Sequence, residues 1–364
     1  MTLSAACLIL SALTASAQWI DSVPTSGRAI DGEIQEITSK EIKIVVGGGV
    51  ITVTQDQIKG PIVWDEQSIP GAMSTGKAKF ANQQYAGAIT DLTKAMGSSG
   101  TRSVLKQEIA FFLAESYRLS GDFTNAAATY QKILKDFPNS YYLGKIYSNI
   151  VDCHMYSDPP NYREALAGIA TAAAKARELG FAEDFIGDLK LKEARVYDIQ
   201  RQLSQASAAY QSLVNHKTPR IAWAAQAGLG RCQLLDKQND KARMTFQKVI
   251  DNCEPGYTQT LAIAYNGLGE VYLAQNDGKV ETVKEALMCF LRTTVLYPPG
   301  PSDLTEEHAK GMMLSAKSFQ RLAKMDAANA EKYEIEYHRL KARFQGEYSA
   351  DYPNFWALIQ KEAD

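Results

Sequence analysis

The chain has 364 residues, of which 45% are hydrophobic, and it carries 39 Lys and Arg residues against 41 Asp and Glu. This length allows two ordinary domains, or one small domain followed by an extended repeat array. The formal net charge of −2 and the lack of a Lys/Arg-rich run argue against nucleic-acid binding, because a protein needs a basic surface to neutralise phosphates.

The first 17 residues have the pattern of an export signal. Residues from Ala5 to Ala17 are almost all apolar or small, and Ala15-Ser16-Ala17 precedes Gln18 as an A-x-A cleavage site. The run is too short to cross a bilayer, which takes roughly 20 residues, and no Lys or Arg precedes it. We therefore predict a signal peptide at residues 1–17 and an exported protein without a transmembrane span.

Cysteine spacing predicts neither a metal site nor a disulfide framework. Beyond the signal the cysteines lie far apart, without any C-x-x-C or Cys/His ligand pattern, and they are Cys153, Cys232, Cys253 and Cys289. Cys232 and Cys253 are the nearest pair that a disulfide could join. The alternative that we favour is that most of them are small buried hydrophobic residues. No cofactor is predicted.

Residues 28–63 show the two-residue period of half-buried strands. Apolar residues alternate with polar ones at Ile34, Ile37, Ile42, Ile44, Val46, Ile51 and Val53. Gly47 to Gly49 separate two of these runs and suit a hairpin turn with positive φ. The segment 18–66 is therefore predicted to form a short antiparallel sheet or an SH3-like barrel. It is too small to be stable alone, so we expect it to pack on the first helices.

Beyond Pro70 the apolar residues recur with a helical period, and a longer repeat emerges. One unit reads Y-x-x-L-G-x-x-Y, then A-x-x-x-F, then P, at Tyr265, Leu268, Gly269, Tyr272, Ala286, Phe290 and Pro298. On these residues the stretch resembles the tetratricopeptide-repeat family, with Tyr in place of the first Trp. The resemblance implies a mainly α, tetratricopeptide-like α-α superhelix of about seven helical hairpins over residues 67–346, preceded by the small β segment and closed by a capping segment at 347–364.

The repeat places small residues where two helices of a hairpin cross. On the first helices these residues are Gly76, Ala114, Cys153, Ala194, Gly230 and Gly269. On the second helices they are Ala88, Ala126, Ala165, Ala206, Ala242 and Ala286. A small side chain is needed there because the helix axes approach closely. An apolar or aromatic residue four positions later lies on the same face and is expected to pack towards the next unit.

A finer resemblance concerns the break Phe137-Pro138-Asn139-Ser140 and the irregular repeat spacing. Both are similar to exported bacterial envelope proteins of the outer-membrane-assembly and Tol-associated kind. That resemblance implies a periplasmic or outer-membrane-associated location, with peripheral association to the envelope.

No motif in the chain supports catalysis. Gly71 to Ala78 approaches the phosphate-loop pattern G-x-x-x-x-G-K-[ST], but Ala78 has no hydroxyl for Mg²⁺, and the residues belong to the first predicted helix. The four histidines stand in no arrangement of a known nucleophile or metal site. The chain is therefore predicted not to be an enzyme, with neither catalytic nor metal-binding residues.

The family resemblance implies that the first helices line a concave surface whose outward positions take a ligand. One residue past the small contact these positions are Lys77, Glu115, His154, Arg195, Arg231, Glu270 and Lys317, and three residues further on they include Phe80, Arg118 and Asp198. Mixed charge with apolar groups suits an extended peptide or a partner helix. The alternative for each residue is an ordinary solvated side chain.

Three functions fit these observations. The leading hypothesis is an exported scaffold that mediates protein–protein interactions in the cell envelope. The second is an α/α-toroid enzyme acting on carbohydrate, which would bring paired carboxylates into one cleft. The third is that the β segment is the functional module and the repeats only carry it.

Overall fold

The computed structural model describes residues 19–98, 100–275, 277–300 and 305–361. The predicted signal peptide, residues 1–17, lies outside the described residues. The chain falls into two compact units that divide between Ala165 and Leu166. Among the described residues, no helix has both the length and the apolarity that a membrane crossing requires.

Unit 1 opens with a four-stranded antiparallel sheet in which each strand pairs with the next along the chain. The strands are β1 (Asp21–Val23), β2 (Ile30–Ile37), β3 (Glu41–Val46) and β4 (Gly49–Thr54). Gly47 and Gly48 join β3 to β4 with φ of 53° and 85°, a conformation that costs glycine little because it lacks a Cβ. Of the two forms predicted for this segment, the structure has the short antiparallel sheet.

Helices account for most of the remaining described chain. In unit 1 they are α1 (Gly71–Ala81), α2 (Tyr85–Met96), α3 (Ser103–Leu119), α4 (Phe123–Asp136) and α5 (Leu143–Tyr156), and α6 (Tyr162–Leu179) contains the division between the units. In unit 2 they are α7 (Glu183–Ile199), α8 (Leu203–Gln211), α9 (Pro219–Leu235), α10 (Asn239–Asn252), α11 (Thr258–Gln275), α12 (Val280–Leu296), α13 (Glu306–Met325), α14 (Ala330–Glu347) and α15 (Pro353–Gln360). The fold is the predicted tetratricopeptide-like helical array behind a small sheet.

The sheet and the first helices of unit 1 share one core. Ile34 and Ile44 of the sheet and Trp64 pack in the same buried cluster as Met73 of α1 and Leu105 of α3. Such a sheet could not bury enough apolar surface alone, so the helices supply the other half of its core. The expectation that the sheet packs on the first helices is confirmed.

A buried ion pair fixes the sheet to the start of α3. Asp21, which is fully buried, accepts hydrogen bonds from the Ile34 N–H at 2.9 Å and the Asp65 N–H at 3.0 Å. It also accepts two from the Arg102 guanidinium, at 2.9 and 2.7 Å. Arg102 in turn donates to the Ile34 carbonyl at 2.8 Å. Because every oxygen of Asp21 has a partner, the buried charge is compensated.

The twelve small residues predicted at the helix crossings are all buried. The glycines among them show why a small residue is needed. A Cβ added to Gly230 of α9 would lie 2.8 Å from Cε1 of Phe246, and one added to Gly267 of α11 would lie 2.2 Å from its Cζ. The Phe246 ring of α10 is therefore held between the first helix of its own pair and the first helix of the next pair.

Cysteines and the chain end complete the core of unit 2. Cys232, Cys253 and Cys289 are buried, and burial raises the pKa of each thiol to about 11. No disulfide joins cysteines in the described part of the chain, so the Cys232–Cys253 bridge does not form.

Helix α15 covers the end of the array, with Ile359 in one buried cluster with residues of α13 and α14.

Gly267→Ala should destabilise the protein by about 1–3 kcal/mol, because Phe246 is confined on both sides and cannot move away from the added methyl group. Gly346→Ala is the matched control, since it also lies in a helix, α14, but a Cβ there meets nothing within 4 Å. The control should be neutral or stabilising by up to about 1 kcal/mol. Urea unfolding of both variants measures the difference, and equal stability would show that the ring is not confined.

In four helix pairs the turn between the two helices uses a left-handed residue seven positions after the small contact. Gly121 has φ of 83°, whereas Gln83, Arg201 and Lys237 have φ of 60° at the equivalent place. Left-handed backbone costs a non-glycine residue about 1–2 kcal/mol. Replacing such a residue by glycine removes this steric cost. Only part of it appears as added stability, because glycine loses more backbone entropy on folding.

Lys237→Gly should therefore raise the free energy of unfolding by a few tenths to about 1 kcal/mol, because the Lys237 side chain is exposed. Gly121→Ala should lower it by about 1 kcal/mol for the converse reason. Thermal and urea unfolding check both. A loss of stability in Lys237→Gly would mean that its side chain makes a contact worth more than the backbone strain.

Candidate partner-binding surface

The predicted positions on α1 lie against α3 in unit 1. Lys77 forms an ion pair with Glu108 of α3, and its ammonium lies 5.0 Å from the centre of the Phe112 ring. Trp64 donates its indole N–H to the same carboxylate at 2.6 Å. Phe80 meets Phe112 edge-on with ring centroids 5.1 Å apart. This part of the first-helix surface offers a half-exposed cation beside aromatic rings.

Glu115 is not the exposed residue that the repeat register predicts. It is 9% exposed and accepts hydrogen bonds from the Tyr130 hydroxyl, the Asn149 amide and the Arg118 guanidinium. Burial first, and then the charge of Glu115, raises the pKa of Tyr130 above its ordinary value. Glu115 therefore ties α3 to α4 and α5, and its partner Arg118 is also mostly buried.

In unit 2 the first helices bring four of the predicted residues into one charged cluster. Asp198 of α7, 3% exposed, lies between Arg195 of its own helix, at 3.2 Å, and Arg231 of α9. Like Glu115, it is buried rather than exposed as predicted, because two guanidinium groups surround it. Arg231 also reaches Glu307 of α13 at 3.3 Å. The cluster thus joins α7, α9 and α13.

Two further links complete this cluster. Asn266 of α11 donates to the backbone and side-chain oxygens of Glu307 at 2.8 and 3.0 Å. Glu270 of α11 pairs with Lys310 of α13 at 2.6 Å. We call the connected set the inner charge network, and its members are Arg195, Asp198, Arg231, Asn266, Glu270, Glu306, Glu307 and Lys310.

One contact of the network shows that the first helices of unit 2 bend around an inner surface. Arg195 of α7 donates to Glu306 of α13 at 2.8 Å, although α9 and α11 lie between these helices in sequence. Side chains of α7 and α13 can meet only if the four first helices curve towards each other. Glu306 is the most exposed charge of the network, with 37% of its side chain accessible.

Opposite charges in the network favour the ionised forms of Glu307 and Lys310. Burial acts to raise the pKa of Glu307, but the cations Lys310, Arg231 and Arg195 outweigh it and the pKa falls below its ordinary value. Burial acts to lower the pKa of Lys310, yet Glu270 and Glu307 raise it. A general acid would need a carboxyl with a raised pKa. Glu307 has the opposite, so this site is suited to ion pairing.

Sequence register located part of this site. Arg195, Asp198, Arg231 and Glu270 come together, whereas Lys317 instead donates to the Lys361 carbonyl at 2.8 Å, beyond the end of α15. His154 lies half-buried on α5 of unit 1. The residues that register counting missed are Asn266, Glu306, Glu307, Lys310 and, in unit 1, Glu108. Glu108 and Lys310 each stand six residues before a small residue, Ala114 and Ala316, and that spacing is the signal that could have found them.

His308 follows the network in α13 and has a structural role. Its Nε2 lies 3.1 Å from the Thr294 carbonyl, and its Nδ1 lies 2.8 Å from the Tyr348 hydroxyl. The carbonyl can only accept, so Nε2 carries the proton and Tyr348 donates to Nδ1. Burial lowers the pKa of His308. Both ring nitrogens are used to join α13 to the ends of α12 and α14.

Glu307→Gln should cost about 1.5–3 kcal/mol of unfolding free energy at neutral pH, because it weakens charged hydrogen bonds in a buried site. Glu306→Gln, the adjacent control in the more accessible pair with Arg195, should cost at most about 1 kcal/mol. Urea unfolding gives both values, and an equal cost would mean that the buried part of the network contributes no more than its rim.

The same Glu307 variant has a defined pH dependence. The pKa of Glu307 is lower in the folded chain than its ordinary value of 4.5, so its stabilising effect is complete above that pH and is lost as the pH falls through the folded pKa. The stability difference between wild type and Glu307→Gln should therefore shrink below about pH 4.5. A difference that stays constant down to pH 3 would contradict this assignment.

Comparison with known families agrees with the repeat geometry. Residues 113–140 match one family model described as a tetratricopeptide repeat, and residues 191–256 match a second. These two segments have the sequence pattern of tetratricopeptide repeats. The matched segments include the end of α3 with α4 in unit 1, and the second half of α7 with α8 to α10 in unit 2. They contain Glu115, Arg195 and Arg231. No curated protein matches the sequence.

Solved structures support the same fold. A tetratricopeptide repeat protein from Parabacteroides merdae is similar with a TM-score of 0.52 at 14% identity, over 81% of this chain and 100% of that chain. A signal-transduction ATPase with a tetratricopeptide repeat sensor from Pyrococcus horikoshii gives a TM-score of 0.50 at 15% identity, over 79% of this chain and 44% of that chain. At these identities the similarity establishes the fold alone.

Proposed function

We propose that the protein is an exported scaffold that binds a peptide or partner helix on its first-helix surfaces. The observation that carries the proposal is the inner surface of unit 2, where four consecutive first helices present one connected set of charges. Repeat proteins of this architecture use such curved surfaces for binding. The partner should be polar and carry basic groups, because the most accessible charges of the network are the carboxylates of Glu306 and Glu270.

The exposure of the network separates a supporting layer from a contact layer. Asp198, Arg231 and Glu307 are largely buried and pair with each other. Glu306 and Glu270 keep 37% and 30% of their side chains accessible. The buried side chains hold the accessible ones in place before a partner arrives. Such preorganisation lowers the entropic cost of binding.

Unit 1 offers a second surface of different chemistry. Lys77 beside Phe80 and Phe112 provides a cation with aromatic faces, which suits an apolar or aromatic side chain of the partner next to a carboxylate. Its ion-pair partner Glu108, and Glu115 further along α3, are both buried and paired. An acid/base pair for glycoside cleavage needs carboxyls that can exchange protons with the substrate, so these observations favour binding over the toroid-enzyme alternative.

The envelope location is part of the same proposal. Its support is the A-x-A site at Ala15-Ser16-Ala17 and the Phe137–Ser140 break, whose resemblance is to outer-membrane-assembly and Tol-associated proteins. Expression of the chain in a Gram-negative host should yield a processed protein whose N-terminus is Gln18, recovered from the periplasm or outer membrane. An unprocessed chain in the cytoplasm would contradict export without affecting the binding proposal.

A charge reversal tests the binding surface. Glu306→Lys changes the rim of the inner surface, and Glu336→Lys on the second helix α14 is the matched control, because the two side chains are 37% and 39% exposed and each pairs with one Arg. In a pull-down from envelope fractions, the wild type should retain a specific protein. Glu306→Lys should lower its recovery at least tenfold, whereas Glu336→Lys should leave recovery unchanged.

Circular dichroism on both variants excludes unfolding as the cause. Equal recovery with Glu306→Lys and wild type would exclude the inner surface of unit 2 as the contact. If recovery were lost only with Lys77→Glu, which changes the aromatic surface of unit 1, the binding site would belong to that unit instead.

A further inference from the structure

The sheet of unit 1 has one open edge. Strand order β1-β2-β3-β4 places β1 and β4 at the two edges. At the β1 edge, Ser22 and Val63 exchange two backbone hydrogen bonds of 2.7 and 2.9 Å, so that edge is covered. No described segment pairs with the outer side of β4. An uncovered strand edge presents unpaired N–H and C=O groups to any strand that can reach it.

The hairpin geometry identifies which residues present these groups. Val46 and Gly49 flank a two-residue turn, so they exchange backbone hydrogen bonds. Hydrogen-bonded pairs alternate along an antiparallel ladder, so Ile51 and Val53 also point their backbone groups towards β3. The residues between them, Val50 and Thr52, point their backbone groups outward. Thr54 follows this rule, because its N–H leaves the sheet and bonds to the Gln57 side chain at 2.9 Å. The open groups are therefore those of Val50 and Thr52.

The side chains of β4 lack the usual protection of an edge strand. Natural edges carry Lys, Pro or a bulge that discourages pairing, whereas β4 reads Gly-Val-Ile-Thr-Val-Thr and pairs with β3 without a register shift. Val50 is 61% exposed and Ile51 is 40% exposed, on opposite faces of the strand. Two apolar side chains thus lie in water beside an unpaired backbone.

We propose that β4 pairs with β4 of a second copy of this chain, antiparallel, about a two-fold axis at Ile51. In this register Ile51 faces Ile51 of the partner subunit, and Val50 of each chain faces Thr52 of the other. The two Val50–Thr52 pairs use all the open N–H and C=O groups and form four backbone hydrogen bonds. In this register Thr54 lies opposite Gly48 of the partner subunit, which belongs to the turn and not to the strand. The hydrogen bond from the Thr54 N–H to the Gln57 side chain is therefore retained.

A second copy fits this edge better than a charged peptide does. Residues 47–54 carry no charge, so they could not select a charged partner, and self-pairing sets no like charges opposite each other. The register also covers both exposed apolar side chains, Ile51 by its own symmetry mate and Val50 by Thr52. The strand that best matches β4 in length, apolar alternation and absence of charge is another β4. The interface is small, so the dimer should be weak and concentration-dependent.

A symmetric cysteine tests the register. Ile51→Cys places two thiols at a non-hydrogen-bonded pair, where the Cα atoms are about 4.5 Å apart and a disulfide can form. Val50→Cys is the control, because the two introduced thiols would then lie on diagonal neighbours at about 7–8 Å, beyond the reach of a disulfide. Wild type gives the background, since the native cysteines of the described residues are buried.

Under a mild oxidant, full-length Ile51→Cys should form a covalent dimer at least tenfold faster than Val50→Cys or wild type. In sedimentation velocity over a concentration series, wild type should shift from monomer to dimer, and Val50→Lys should stay monomeric at every concentration. Equal oxidation rates for the two cysteine variants, or a wild type that is monomeric throughout, would overturn the proposal. A dimer that Val50→Lys leaves intact would also overturn it by placing the interface elsewhere.

Discussion

The close crossing of two helices over a small residue is the constraint on which the array depends. A glycine or alanine on the first helix lets the second helix approach until its bulky side chain fills the space. Phe290 packs on Gly269 in this way, and Leu92 on Gly76. Phe246 does more, because it touches Gly230 of its own pair and Gly267 of the next. Each crossing therefore sets the position of the following helix pair. A displacement at one crossing would shift the later pairs of the same unit.

That constraint also explains how charges become buried on the first helices. Residues next to the small contact are brought close to the neighbouring first helix, where water has little access. Asp198 and Glu115 lie in such places and are compensated by Arg and Tyr partners. Buried ion pairs of this kind contribute little net stability compared with apolar packing, but removal of one partner is costly. The inner charge network thus specifies how α7, α9, α11 and α13 fit together, and the charges left at its rim are the ones that a partner could contact.

The sequence predicted the helices and strands, which follow from local periodicity. It missed the contacts between side chains that lie far apart along the chain. Strand alternation and the glycine turn predicted the sheet, and the small-residue register found the helix pairs. It placed Arg195 and Arg231 on one helix face, where the structure joins them through Asp198, because that face follows from counting. It could not show that Glu306 lies beside Arg195, since the curvature that joins α7 to α13 accumulates over two intervening pairs. It also took Asp198 and Glu115 as exposed, because burial at these positions depends on partners from other helices.

In the proposed function, the partner binds to the first-helix surfaces. Hydrogen exchange of the free protein and of the protein bound to its recovered partner tests this most directly. We expect the added protection to fall on the first helices, with α7, α9, α11 and α13 protected more than α8, α10, α12 and α14. Protection confined to the second helices, or no change in either set, would contradict it.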